Sequence, residues 1–358
     1  MRWLVLIGLV FLQAFAFTNG AQAQSDKEIK EALGALQSLP KKVPTPADNP
    51  QTPVKIELGK ALYFDPRLSK DGTISCNSCH NVMGGGDDGR PVGVGVKGQR
   101  GGRGSPTVWN SAFNTVQFWD GRAASLEDQA KGPLTNPIEM GMESHDAVMM
   151  RVKKIPGYLD MFKKAFPKDK EPVSIDNLAR AIASFERTLI TPDSPFDLYK
   201  NGNKKAMTPA AVRGMVLVHQ IGCTSCHGGA NFNGEGFAMG EGNYQPFPQV
   251  PGSVYDKQYD LVSDLGRYEV TKKDDDKNLW RVPTWRNVAV TAPYFHNGKV
   301  KTLDEAVRVM AKTQLDMDLK TEQVSDVVAF LNALTGKVPT IVAPKLPMVA
   351  NESLTPDP

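Results

Sequence analysis

The sequence has no cysteine outside two short motifs, few histidines and no long block of charge of one sign. Its 358 residues carry 42 Lys and Arg against 39 Asp and Glu, and only five His. No long basic run is present, which argues against a nucleic-acid partner. After residue 17 no segment is apolar enough to span a membrane. With 41% hydrophobic residues the chain can still bury a sizeable core.

The chain opens with a short apolar run that predicts export. "MRWLVLIGLVFLQAFAFTNGAQAQS" has one Arg, an apolar stretch over 3–17 and the small-x-small triplet Ala21-Gln22-Ala23. This pattern is typical of a secretory signal peptide, here 1–23, cut after Ala23. A membrane anchor is the alternative, but the stretch is short of the ~20 residues that a span needs. The remaining length suggests about two domains.

All four cysteines lie in two copies of one pattern. The copies are Cys76-Asn77-Ser78-Cys79-His80 and Cys223-Thr224-Ser225-Cys226-His227. C-x-x-C-H is the c-type haem attachment sequence, in which the thiols bind the haem vinyl groups and the His binds the iron. A zinc site or a redox-active thiol pair has the same spacing, but zinc needs further ligands and only three other His exist. Two copies, no spare Cys and export together predict two covalently bound c-type haems.

A glycine-rich stretch after the first motif matches a nucleotide-binding fingerprint only in letters. "GVGVKG", residues 93–98, fits G-x-G-x-x-G. No strand precedes it, and further Gly and Pro residues follow where a helix should begin. We therefore interpret this stretch as a flexible loop and not as a phosphate site.

Helical patterns are clearer than strand patterns, so the fold is predicted to be mainly α. Cap-type residues followed by helical periodicity predict helices that begin at Ser174, Thr208, Thr302 and Thr321. Two haem motifs suggest two haem domains. Between the helices lie long irregular Gly/Pro-rich loops, above all 81–107 and 228–265.

The domain boundary is placed near residue 197, in a stretch rich in turn-forming residues. This division gives an N-terminal haem domain over 24–197 and a C-terminal haem domain over 198–337. The Pro-rich residues 338–358 are predicted to form an extended tail.

Few residues outside the motifs are candidates for haem chemistry. Met310 lies on an apolar helix face and is either core or a sixth iron ligand, since Met in that position raises the haem potential. Glu139, in "PLTNPIEMG", is either a surface residue or a carboxylate for general acid–base work on peroxide. Composition gives no haem role to His145, His219 or His296.

Longer stretches extend the two motifs into a family pattern. They are "LGKALYFDPRLSKDGTISCNSCH", "SPTVWNSAFNTVQFWDGRAASLEDQAKGPLTNPIEMG", "GCTSCHGG" and "WRVPTWRNVAVTAPYFHNGKVKTLDEAVRVMAKTQL". In this order, over most of 58–315, the chain resembles the bacterial dihaem cytochrome c peroxidases. The resemblance implies two cytochrome c-like domains in a periplasmic homodimer. It also implies reduction of hydrogen peroxide with electrons from a small donor, a monohaem cytochrome c or a cupredoxin, and a tail that folds back onto the first domain.

The resemblance also implies a role for each candidate residue. The first haem would be the low-potential peroxidatic centre, and the second the high-potential electron donor with Met310 as its distal ligand. Trp119 matches the tryptophan between the haems, an electron relay. Glu139 matches the catalytic acid–base carboxylate, and Gln129 matches a polar neighbour in the same pocket.

Two positions depart from the family pattern. Family members bind calcium between the domains through backbone carbonyls that match Thr291 and Pro293, and through an Asn that aligns here with Gly104. A His in the glycine-rich loop usually closes the peroxidatic iron in the oxidised enzyme, and it aligns here with Val96. The loop thus resembles a lid without its iron ligand, which predicts that the enzyme needs no prior reduction.

Two other functions remain open at this stage. One is a dihaem electron carrier without peroxidase turnover. The other is a dihaem enzyme that oxidises residues of a partner protein, and such enzymes carry Tyr where Met310 stands.

Overall fold

The computed structural model describes residues 24–349, which are mostly helical, as predicted. In this part of the chain helices α1 to α13 span Asp26–Ala35, Pro53–Phe64, Cys76–Cys79, Leu126–Thr135, His145–Lys153, Pro156–Ala165, Ile175–Glu186, Pro195–Lys200, Pro209–Gln220, Val254–Gln258, Tyr268–Thr271, Leu303–Leu315 and Thr321–Ala333. Strands β1 and β2 span Tyr244–Pro246 and Leu279–Arg281. None of these helices is long and apolar enough to cross a membrane. The predicted signal peptide lies outside the described residues.

The predicted helix starts are confirmed. The hydroxyls of Ser174, Thr208 and Thr302 each accept a backbone N–H from the first turn of α7, α9 and α12. Pro209 occupies the first turn of α9, where a missing N–H costs nothing. Thr321 is the first residue of α13.

The first hydrophobic cluster is built around a close crossing of α2 and α7. Gly59 of α2 lies so near α7 that a Cβ there would overlap the carbonyl oxygen of Ala181. Tyr63 packs edge-on against Phe185 at a centroid distance of 5.2 Å. Helices α4 to α6 complete this cluster, which contains the first haem motif at its edge.

The second cluster repeats this arrangement with α9 and α13. A Cβ on Gly214 of α9 would overlap the carbonyl oxygen of Asp326 in α13. The neighbouring Arg213 fixes the crossing from the side, since its guanidinium donates to both carboxylate oxygens of Asp326 at 2.7 and 2.8 Å. The chain therefore contains two similar helix pairs, one near each haem motif.

The domain boundary near residue 197 stays a prediction, and the contacts around it are as follows. Residue 197 lies inside α8, and its neighbour Phe196 belongs to the second cluster. The Asp197 carboxylate is buried against the Arg286 guanidinium at 2.7 Å. Helix α1 also packs on the second cluster through Leu36, although it lies at the N-terminal end. The assignment of one haem to each cluster stays a prediction.

The two long loops contain more backbone hydrogen bonding than the sequence indicates. In 81–107, Val94 forms a bridge with Arg100, and the N–H of Gly101 donates to the carbonyl of Gly93 at 2.9 Å, so the glycine-rich stretch is a small hairpin. The loop 228–265 contains β1 and α10, and β1 pairs antiparallel with β2.

The described part of the tail contacts the first cluster. The guanidinium of Arg67 donates to the carbonyl of Pro347 at 2.9 Å. Ile341 packs against the same cluster, and Pro347 lies over Gly157 at the start of α6. The tail thus spans from the end of α13 to the first haem cluster.

Replacing Gly214 by Ala is expected to destabilise the holoprotein by roughly 1–3 kcal/mol, because the added methyl group overlaps a backbone carbonyl that cannot move without separating two helices. Gly34 of α1 is the matched control, since an added Cβ there meets nothing within 4 Å. Gly34→Ala should keep or raise the stability through helix propensity. Denaturant unfolding of both variants measures the difference, and equal stabilities would contradict the crossing.

Candidate active site

The first haem motif forms a short helix that ends at a partly buried imidazole. Helix α3 runs from Cys76 to Cys79, and Nδ1 of His80 lies 2.8 Å from the carbonyl oxygen of Pro106. A carbonyl only accepts, so Nδ1 carries the hydrogen and Nε2 keeps its lone pair. Burial lowers the pKa of His80, which keeps the ring in the neutral form that binds a metal.

The second motif reaches the same arrangement through a different turn. Gly222 has a φ of 91° and leads into a 3₁₀ helix over Cys223–Ser225. Nδ1 of His227 lies 3.0 Å from the carbonyl oxygen of Phe232, and its ring stacks on Trp285 at 4.3 Å. Burial lowers the pKa of His227 to about 4. Its Nε2 therefore also keeps a lone pair.

A cavity next to the first motif brings together the predicted catalytic groups. Cys79 and His80 line it together with Gln129 from α4 and Glu139 from the turn after α4. Arg122 lines the same cavity. The sequence separates these groups by up to 60 positions, and the fold places them around one space.

Glu139 is held by its own turn. The amide nitrogen of the Asn136 side chain donates to Oε1 of Glu139 at 2.8 Å, and the Glu139 N–H donates to the Asn136 carbonyl at 3.1 Å. Burial raises the pKa of the Glu139 carboxyl, while the Arg122 charge and the Asn136 hydrogen bond act against it. Of the two interpretations of Glu139, the cavity position favours acid–base work over a surface role.

The glycine-rich hairpin is fastened to the Glu139 turn. The N–H of Val96 donates to the Glu139 carbonyl at 2.9 Å, and Gln99 donates from its side chain to the carbonyl of Pro137 at 3.0 Å. A Cβ on Gly95 would overlap the turn's backbone, so only glycine permits this approach. The Val96 side chain is 3% exposed, faces Gly141 and does not line the cavity.

A second cavity contains the second motif and Met310. Met310 lies on α12, three positions after the buried Val307, on the helix face that the sequence predicts to be apolar. Its side chain lines this cavity. His227 and both cysteines of the motif line the same cavity. Of the two interpretations of Met310, this placement favours an iron ligand over a core side chain.

Trp119 lies between the two cavities and lines both. Its indole N–H donates to the carbonyl of Gly104 at 2.9 Å, which fixes the ring. Pro106, whose carbonyl holds His80, also lines both cavities. The indole and this segment therefore form a common wall.

Arg103 is a functional candidate that the sequence reasoning missed. Its guanidinium pairs with Asp120 at 2.6 Å and with Asp264 at 2.7 Å. It also lies over the Trp280 ring, 4.8 Å from the centroid, and lines the first cavity. Because Asp264 is distant in sequence, no local pattern marks this group.

The three other histidines contact neighbouring protein groups outside the two haem motifs or close to them. Nε2 of His145 lies 3.1 Å from the carbonyl of Lys131, and Nδ1 of His219 lies 3.3 Å from the Thr224 hydroxyl. His296 is buried, lines the second cavity and stacks on a tryptophan at 4.1 Å. Its Nε2 has no hydrogen-bond partner among residues 24–349.

The predicted calcium residues lie at the second cavity. Thr291, Pro293 and Gly104 all line it, and the Gly104 N–H donates to the His296 carbonyl at 2.7 Å. Over the described chain, no group of three or more His, Cys, Asp and Glu side chains is arranged to hold a metal. A calcium ion here would thus depend on backbone oxygens.

The donor atoms of both cavities suit covalent haem. The first cavity is lined by the Cys79 thiol and the second by the thiols of Cys223 and Cys226, all free of disulfide bonds. Each cavity also has a neutral imidazole whose Nε2 keeps its lone pair. The second cavity adds a thioether, which suits an iron with both faces filled, and the first adds a carboxyl group, which suits an open iron. A zinc site has no support within residues 24–349.

Comparisons with known proteins agree with this arrangement. Residues 53–205 match the family described as di-haem cytochrome c peroxidase. The chain is 44% identical over 336 residues to cytochrome c551 peroxidase of Pseudomonas aeruginosa, covering 94% of each protein. It is 45% identical over 315 residues to cytochrome c peroxidase of Escherichia coli, covering 88% of this chain and 64% of that protein.

A solved structure supports the same assignment. A MauG-like protein associated with microbial copper homeostasis superimposes with a TM-score of 0.73 at 29% identity, over 84% of this chain and 95% of that one. Together with the 44% identity to cytochrome c551 peroxidase over nearly the full length of both chains, this shows that the protein belongs to the bacterial dihaem cytochrome c peroxidase family.

Proposed function

We propose that the protein reduces hydrogen peroxide to water in the periplasm, with electrons from a small redox protein such as a monohaem cytochrome c or a cupredoxin. One observation carries this proposal: the partly buried Glu139 carboxyl shares a cavity with His80 of the first haem motif. Peroxide cleavage at a metal needs a proton-exchanging group at that place. The peroxidase names of the most similar relatives support the same reaction.

The two haems are assigned to the two motifs. The first would be held by Cys76 and Cys79, with His80 binding its iron. The second would be held by Cys223 and Cys226, with His227 and Met310 binding its iron. When bound, the first haem supplies an iron with one open face for peroxide, and the second supplies a high-potential electron store.

Glu139 moves the proton within the cavity. Each turnover consumes one peroxide, two electrons and two protons and yields two water molecules. The ionised carboxylate accepts the proton of one peroxide oxygen and returns it to the departing oxygen. Because burial raises its pKa above that of an exposed Glu, the Glu139 carboxyl takes up the peroxide proton more readily. The Asn136 bond occupies Oε1 and leaves Oε2 for the proton, while the Gln129 amide orients the peroxide.

Trp119 provides the route between the haems. Its ring contacts both cavities, and its N–H is held by the Gly104 carbonyl at 2.9 Å. A fixed aromatic ring between two redox centres shortens the gap that an electron must cross. Trp119 would thus connect the haems held by the two motifs for electron transfer.

The finer features of the family are extended to this chain as proposals. The carbonyls of Thr291 and Pro293 would bind calcium, with water in place of the side-chain oxygen that Gly104 lacks. Calcium takes six to eight oxygen ligands, so fewer protein ligands predict weaker binding. The enzyme is proposed to be exported by its signal peptide and to act as a homodimer.

Steady-state turnover of the haem-loaded protein tests the function. Peroxide should be consumed with two equivalents of a reduced monohaem cytochrome c or cupredoxin oxidised per molecule. Reduction of both haems by the donor without peroxide consumption would instead indicate a dihaem electron carrier.

A second candidate function is oxidation of residues on a partner protein. The structural similarity to a MauG-like protein favours it. Enzymes of that kind carry Tyr at the position of Met310, and here a thioether lines the second cavity. This difference favours the peroxidase.

Met310→His is expected to lower the midpoint potential of the second haem, because a thioether ligand holds a haem potential high and imidazole does not. A redox titration that follows the haem spectrum measures this potential. Met239→His is the control, since Met239 is exposed and does not line the second cavity. An unchanged potential in Met310→His would remove Met310 from the iron.

A further inference from the structure

Glu186 is a second carboxyl group in the first cavity, and the mechanism above does not use it. It is the last residue of α7 and lines the cavity, although it is only 5% exposed. It lies four positions after Ile182 on the apolar face of the helix. Its Oε2 is buried and has no hydrogen-bond partner within residues 24–349. A buried polar atom without a partner is rare and calls for an explanation.

The nearest cation does not neutralise this carboxyl. Arg187 follows Glu186 in the chain, but both of its terminal nitrogens donate to Glu127 of α4, at 2.7 and 3.0 Å. The charge of Glu186 also acts on Tyr63 of α2 and Cys76 of α3. Burial raises the pKa of both groups, and the charge of Glu186 raises it further. Glu186 is therefore an unpaired acid beside a haem attachment cysteine.

Burial raises the pKa of Glu186 to about 8, with Arg187 lowering it and Glu127 raising it. The group thus changes its charge near neutral pH. In a medium of low dielectric constant, a change of one unit of charge nearby shifts such an equilibrium strongly. A haem attached at Cys76 undergoes that change whenever it gains or loses an electron.

We propose that Glu186 is a redox-linked proton acceptor of the first cavity, which binds one proton when the haem there gains one electron and releases it on reoxidation. The electron comes from the donor protein by way of the second haem, and the proton comes from solvent. No bond other than the O–H of the carboxyl forms or breaks. This inference rests on the proposed attachment of the first haem.

The physical reason is charge balance. One added electron lowers the net positive charge of the cavity by one unit, which makes an ionised carboxylate beside it less favourable. Uptake of a proton by Glu186 restores the balance. Glu186 and Glu139 therefore have separate tasks, since Glu139 moves a proton between peroxide oxygens and Glu186 compensates the charge of the cofactor.

Redox titration of the first haem as a function of pH tests this inference without peroxide. The midpoint potential of the wild-type haem should fall as pH rises between the two Glu186 pKa values, those with the haem reduced and oxidised. The limiting slope is a tenfold change in the equilibrium per pH unit, about 59 mV for one electron. Glu186→Gln should abolish the slope in this window. Glu57→Gln, an exposed carboxylate on α2, should keep it.

A flat wild-type profile, or a slope that survives in Glu186→Gln, would overturn the inference. If Glu186→Gln does not fold, infrared difference spectra of the wild type serve instead: a protonated carboxyl band should appear on reduction and shift in heavy water. Its absence would also overturn the inference. Failure of the haem assignment is distinguishable, because the first haem's redox signal would then be missing altogether.

Discussion

Replacement of Glu139 by Gln is expected to lower peroxide turnover by about 10²–10⁴-fold while both haems stay attached. The amide keeps the size of the side chain and can still meet Asn136, but it cannot take up a proton from peroxide. Because the side chain is held within its own turn and not by the core, the fold should not change. Substrate binding should suffer much less than the rate of the chemical step.

Stopped-flow mixing with peroxide and steady-state assays with a reduced donor measure this loss. The matched control is Glu143→Gln. Glu143 is four positions further along the chain, and its side chain is 63% exposed in an ion pair with Lys70. The Glu143→Gln variant should therefore keep wild-type turnover. A Glu139→Gln enzyme with nearly normal rates would show that another group transfers the proton.

The direction of the pH dependence of the same reaction follows from the burial of the Glu139 carboxyl. Glu139 must be ionised to accept the peroxide proton, and its pKa is raised. The apparent kcat/KM should therefore fall as pH decreases through that raised pKa and not only at the lower pH of an exposed Glu. Glu139→Gln should lose this acidic limb of the profile.

Local signals in the sequence were sufficient to locate the helices and to predict two haem motifs. A cap residue, helical periodicity and a Cys-x-x-Cys-His spacing each act within a few positions, so Ser174, Thr208 and Thr302 mark real helix starts. The family pattern decided between the open interpretations of Glu139 and Met310, and the structure places each of them in a cavity with one motif.

Contacts between distant segments could not be read from the sequence. Arg103 meets Asp264 across 161 positions, and α1 packs on the second cluster although it precedes the first. Both depend on how two helix pairs are oriented, which no local pattern encodes. Glu186 offered a signal that was not used: it is a charge on the apolar face of α7, four positions after Ile182.

The first haem is expected to react with peroxide while both haems are ferric. In relatives with a loop His, that ligand closes the iron until the second haem is reduced. Here the aligned Val96 has no lone pair, and its side chain is packed towards Gly141 and outside the cavity. Its N–H donates to the carbonyl of Glu139, so the hairpin is fastened to the turn that carries the acid–base group.

No other side chain of this loop region offers a good replacement ligand. Lys97 is exposed and does not line the cavity. Met83 is 59% exposed, and a thioether is a weak ligand for ferric iron. The iron above His80 should therefore be five-coordinate or bound to water in the resting enzyme.

Electron paramagnetic resonance of the all-ferric protein reports the ligands of each iron, and mixing with peroxide reports the reactivity. The expected result is a high-spin or water-bound first haem that reacts at once, at the same rate as after addition of one electron. Lys97→Ala should give the same spectrum as the wild type. A low-spin first haem with two protein ligands, inert until one electron is added, would contradict the prediction, because a ligand other than the missing His would then close the iron.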